Sequence, residues 1–79
     1  MTTRSQGRPG VPPGDRVRTL LLRGDNVLKS ANPERFDRAL EAFLEARVVA
    51  QDPSVDERVR ELVERRIDET RRLIAERSA

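Results

Sequence analysis

The feature that most narrows what this chain can become is residues 32–53, NPERFDRALEAFLEARVVAQDP, which reads as one amphipathic helix with both ends marked. Asn32 is placed to cap the first free amides, Pro33 stands where a missing N–H costs nothing, and Asp52-Pro53 stops the run. Within it Phe36, Ala39, Leu40, Phe43, Ala46 and Ala50 recur at steps of three and four and make one broad apolar face. Phe36 and Phe43 are the only aromatic residues of the chain. Seven apart, they share one side of the helix, so both rings are expected in the core with everything else packed on them.

Two flanking segments carry the same periodicity. Val17, Leu20, Leu21, Gly24, Val27, Leu28 and Ala31 form one face of a helix over 16–30, with Asp15 as its cap. Gly24 falls in mid-helix, where it costs about 1 kcal/mol against Ala, and close approach of the central helix is the physical reason for it. A third helix over 55–76 buries Val55, Val59, Leu62, Val63, Ile67, Thr70 and Ile74, with Leu73 at the margin. It opens on a capping box in which Ser54 and Glu57 satisfy each other's amides. The links Ser30-Ala31-Asn32 and Gln51-Asp52-Pro53-Ser54 are short, so successive helices must run antiparallel. Residues 15–79 therefore read as an all-α, three-helix antiparallel bundle. Residues 1–14, rich in Pro and Gly with Val11 as the one sizeable aliphatic, read as a disordered basic arm.

Composition removes most chemistry. The chain has neither Cys nor His, so disulfides, thiolate metal sites, the usual near-neutral general base and the Cys–His and Ser–His nucleophile pairs are all absent. No calcium-loop spacing occurs, and the sole lysine, Lys29, stands at a helix end where helping the terminal carbonyls is role enough. We expect no enzyme, no cofactor and no metal. The longest apolar run, residues 20–22, is far below the roughly 20 residues of a membrane span. The amino terminus has no apolar segment of signal type, which makes the cytoplasm the expected compartment.

The pI near 10.3 suggests a nucleic-acid ligand, yet the net charge is only +2. Arg4 and Arg8 account for it, leaving 14 basic against 14 acidic residues in 15–79. Arg58, Arg65 and Arg72 recur every seven residues and could follow phosphates, but Glu61, Glu64, Asp68 and Glu69 interleave with them and would repel the same backbone. The spacings Glu61 to Arg65, Asp68 to Arg72, Arg72 to Glu76, Arg58 to Glu61 and Arg66 to Glu69 suit ion pairs along a solvated helix. Arg23-Gly24-Asp25 matches an adhesion tripeptide in letters, but it lies inside a helix where that recognition needs a loop.

Phe36-Asp-Arg-Ala39-Leu-Glu-Ala-Phe43-Leu-Glu-Ala46 resembles the second helix of a tetratricopeptide repeat, and Leu20, Gly24 and Val27 resemble its first. Val27 stands where that family has an aromatic, and only one repeat is present. With its long third helix the hairpin is also similar to the MIT domain, a three-helix module that binds peptides in grooves beside its third helix. This resemblance implies an adaptor contacting a partner peptide or helix around Val59, Leu62, Arg66 and Leu73. Leu22, beside the apolar face of the first helix, is a further candidate contact. Two alternatives stand beside the adaptor. One is a homodimer, formed if Leu22, Leu44, Val48 and Leu73 are exposed together. The other is a nucleic-acid accessory protein using Arg4, Arg8, Arg16 and Arg18 as a basic arm, which the neutral remainder disfavours.

Overall fold

A computed structural model describes residues 10–78, which hold three helices and no strand: α1 Pro13–Leu28, α2 Arg35–Val49 and α3 Glu57–Ser78. Residues 1–9, most of the expected arm with Arg4 and Arg8, lie outside the described residues. The helices pack as an antiparallel bundle. The α1–α2 contact is the most extensive, α3 packs chiefly on α2, and α3 touches α1 only sparingly.

Each helix starts at a different place from the one its sequence suggests. Helix α1 begins at Pro13, two residues before Asp15, because a proline in the first turn leaves no amide wanting and its ring already holds the helical φ. The Pro12 carbonyl accepts the amides of Asp15 and Arg16 at 3.0 and 3.1 Å. Asp15 therefore lies in the first turn rather than at the cap. At the other end, the Val27 carbonyl accepts both the Ser30 amide at 3.1 Å and the Ser30 hydroxyl at 2.6 Å, a role expected of Lys29.

Asn32 caps a turn rather than α2. Its Oδ1 accepts the Glu34 amide at 2.8 Å, which delays the helix to Arg35. The expected capping box at Ser54 does not form. The amide and hydroxyl of Ser54 both donate to Asp52 Oδ1, at 2.9 and 2.7 Å, and these bonds hold the Asp52 carboxyl below its ordinary pKa. Asp56 caps α3 instead, accepting the Arg58 amide at 2.8 Å. Arg60 then reaches back so that its Nε donates to the Ala50 carbonyl at 3.1 Å, satisfying the end of α2 from α3.

The core is Val17, Leu20 and Leu21 of α1; Ala39, Phe43 and Ala46 of α2; Ala50 and Val55 of the connection; and Val63 and Ile67 of α3. It is organised on one phenyl ring, not two. Phe43 is fully enclosed and lies directly under Gly24, whose missing Cβ would stand 2.6 Å from the ring Cζ and 2.9 Å from Cδ1. The close approach expected at Gly24 is present. Two turns earlier on α2, Phe36 is level with residue 31, beyond the end of α1, and stays half-buried. Its ring is covered by cations instead, with Arg35 Cζ 4.7 Å and Arg77 Cζ 5.6 Å from the centroid. Thr70 is the buried polar side chain; its hydroxyl donates to the Arg66 carbonyl at 2.7 Å.

Ion pairs among the described residues divide evenly between local ones, Asp15–Arg18, Glu34–Arg38 and Arg66–Glu69, and ones that tie helices together. Of the five intrahelical pairs suggested by spacing, only Arg66–Glu69 comes within 4 Å among the described residues, at 3.7 Å. Three pairs cross between helices: Arg47 with Glu64 at 3.7 Å and Asp37 with Arg77 at 3.6 Å between α2 and α3, and Arg66 with Asp25 at 3.1 Å between α3 and α1. Among the described residues no helix is long and apolar enough to cross a membrane.

Candidate interaction face

The residues singled out for partner contact fall into two groups. Val59 and Leu62 are half-buried and pack on the core, so their first duty is to hold α3 on the hairpin. Leu44, one of the four residues on which self-association was expected to depend, does the same on α2. Leu22 and Leu73 are different. They are 61% and 36% exposed, on α1 and α3, and no core contact accounts for their bulk.

Arg66 lies between these groups and locks α1 to α3. Its Nη2 donates to Asp25 Oδ2 at 3.3 Å. Its buried Nε lies 3.1 Å from Oδ1 but is poorly aimed for a hydrogen bond, so this second arm of the clamp is ionic rather than hydrogen-bonded. The pair sits about one-third exposed on each side, which makes it a geometric tie worth about 1 kcal/mol rather than a large stabiliser. It also settles the tripeptide Arg23-Gly24-Asp25: Gly24 is under Phe43 and Asp25 is engaged by α3.

The clamp defines a face. On α1 and at its C-cap, Arg18, Leu22, Asp25 and Lys29 recur at steps of three and four; on α3, Leu62, Arg66, Glu69 and Leu73 do the same. Both helices run antiparallel to α2 and so parallel to each other. The turn before Asp25, with Leu22, is therefore level with the turn before Arg66, with Leu62. Leu73 lies two turns further along α3 in a shallow depression it shares with Glu69, Arg72 and Glu76. Bordering this strip, the guanidinium groups of Arg58, Arg65 and Arg72 have no carboxylate within 4 Å among the described residues, so the face is apolar at two points with unpaired arginines along one edge.

Nothing on this face, or elsewhere among the described residues, gathers three metal-ligating side chains. The exposed Val48, at 65%, lies on the opposite side of the molecule, so Leu22 and Leu73 do not form one patch with it. Sequence periodicity located Leu22 and Leu73 but not the Asp25–Arg66 clamp. No sequence spacing reports a contact between residues 41 apart. No protein-family model, curated protein or solved structure matches this chain.

Proposed function

We propose that the bundle is a non-enzymatic interaction module that docks an amphipathic helix of another protein, acidic at its flanks, across the α1/α3 face. The observation that carries this reading is the pair of exposed leucines, Leu22 and Leu73, on either side of the Asp25–Arg66 clamp, beside arginines whose guanidinium groups make no ion pair within 4 Å among the described residues. An incoming helix would set apolar side chains on Leu22 and Leu73, and its acids would meet Lys29, Arg65 and Arg72. The likeness of the α1–α2 hairpin to a tetratricopeptide repeat, and of the whole to an MIT domain, supports a peptide-binding role. A cytoplasmic setting is part of the same proposal. We favour a protein over a nucleic acid because Glu61 and Asp68 share the exposed side of α3 with Arg58, Arg65 and Arg72 and would face the phosphates.

Titration of the labelled protein with a panel of synthetic amphipathic peptides, acidic at both ends, tests it. Amide shifts should concentrate at Leu22, Asp25, Leu62 and Leu73 and vanish in Leu73→Asp. An unresponsive face at millimolar peptide, or shifts confined to the outer arginines and indifferent to Leu73, would remove this function.

A further inference from the structure

The opposite side of the hairpin, facing away from α3, is a second surface with its own pattern. Three shallow depressions of about 290, 290 and 610 Å³ adjoin there, two of them sharing Arg23 and two sharing Arg16, with Glu45 common to all three. Their floor is apolar, built from Leu20, Val27, Ala42 and Val49. At one end Val11 and Val48 are 57% and 65% exposed. The walls differ in net sign: α1 contributes Arg16 and Arg23, and α2 contributes Glu41 and Glu45 beside Arg38, whose charge is met by Glu34 at 3.4 Å. Although opposite charges face one another across the floor, none of Arg16, Arg23, Glu41 and Glu45 has a partner within 4 Å among the described residues.

A surface with one cationic and one anionic wall is complementary to itself under a two-fold axis. With the axis parallel to the helices, α1 of each copy lies over α2 of the other at unchanged height. Since Gly24 is level with Phe43, Arg23 then meets Glu45 of the second copy, and Arg16 meets the end of α2 that carries Asp52. We propose that a second copy of this chain occupies this face, making a two-fold four-helix layer in which the apolar floors close on each other and the walls exchange ion pairs. Helices of about 24 Å set about 10 Å apart offer on the order of 500 Å² per copy, at the low end of specific interfaces, so the dimer is a weak, salt-sensitive one. The interface leaves the α1/α3 face open and does not depend on the function proposed for it.

Sedimentation velocity from micromolar to millimolar protein tests the proposal, with circular dichroism showing that every variant is folded. The wild-type chain should dimerise. The all-acidic variant Arg16→Glu/Arg23→Glu and the all-basic variant Glu41→Arg/Glu45→Arg should each be weakened by about tenfold or more. An equimolar mixture of the two should recover association, while Leu22→Asp/Leu73→Asp should dimerise like wild type. A wild-type chain that stays monomeric at millimolar concentration, or a dimer that survives in both single-sign variants, overturns it.

Discussion

Replacing Gly24 with alanine sets two effects against each other. Helix propensity alone favours alanine in mid-helix by about 1 kcal/mol. Against this, the new methyl would meet three atoms of the enclosed Phe43 ring, Cζ at 2.6 Å, Cδ1 at 2.9 Å and Cε1 closer still. Carbon atoms rest at about 3.5–4.0 Å, so the ring or the helix must retreat by about 1 Å. The ring cannot turn aside without displacing its neighbours, and α1 cannot lift without opening the core. Overpacking of this kind costs about 1–3 kcal/mol, and rigid neighbours put the value at or above the top of that range. The net loss is about 2 kcal/mol, close to half the ~3–5 kcal/mol that one small core supplies. For a chain of this size that lowers Tm by about 8–16 °C. Thermal and urea unfolding followed at 222 nm measure it, with Gly14→Ala as control because nothing among the described residues lies within 4 Å of a Cβ there. Combining Gly24→Ala with Phe43→Leu should cost less than the sum of the two single changes. A Gly24→Ala protein as stable as wild type would show that the two helices are not held at this distance.

Four further outcomes are expected. Phe43→Ala should cost about 3–5 kcal/mol and leave the chain largely unfolded, whereas Phe36→Ala should cost about 1 kcal/mol, so equal losses in denaturant melts would refute a core built on one ring. Asp56→Ala should lose about 1 kcal/mol as the cap of α3, while Ser54→Ala should lose less; the reverse order would restore the capping box. Arg66→Met should lower stability by about 1 kcal/mol at low salt and by less at high salt, and a salt-independent loss would mean that packing and not the ion pair is at stake. Asp52 has a folded pKa below its unfolded one, so its contribution is present above the ordinary aspartate range and disappears as pH falls through the lowered folded value. Melts of wild type and Asp52→Asn should therefore converge below about pH 4, and a gap between them that is constant through that range would contradict the bonds from Ser54.

How far the sequence led depended on whether the deciding contact was local. Apolar spacing of three and four identified all three helices and their antiparallel order, and the mid-helix glycine pointed to its own close approach. Helix starts moved because a nearby alternative satisfied the same amides: Pro13 extended α1 past Asp15, Asn32 closed a turn before α2, and Asp56 took the cap from Ser54. Phe36 and Phe43 share one side of α2, yet the seven residues between them also mean about 10 Å along the axis. That distance carries Phe36 past the end of α1, a fact of relative helix length that periodicity does not contain. The ion pairs followed the same division. Spacing suggested pairs within α3, while Asp37, Arg47 and Arg66 found theirs on neighbouring helices, where the bundle brings residues far apart in sequence to within 4 Å. Of the candidate contact face, Leu22 and Leu73 were legible as apolar residues at the edge of a helical stripe, but their separation by the Asp25–Arg66 clamp was not.

The proposed α1/α3 face requires α3 to be held on the hairpin. Native-state hydrogen exchange at the amides of Leu21, Phe43, Val63 and Ile67 measures that attachment most directly. Protection in all four corresponding to one shared opening free energy, near that of global unfolding, is the expected result. Val63 and Ile67 exchanging orders of magnitude faster than Phe43 would show α3 leaving the hairpin on its own, and the α1/α3 face would not exist as a binding surface.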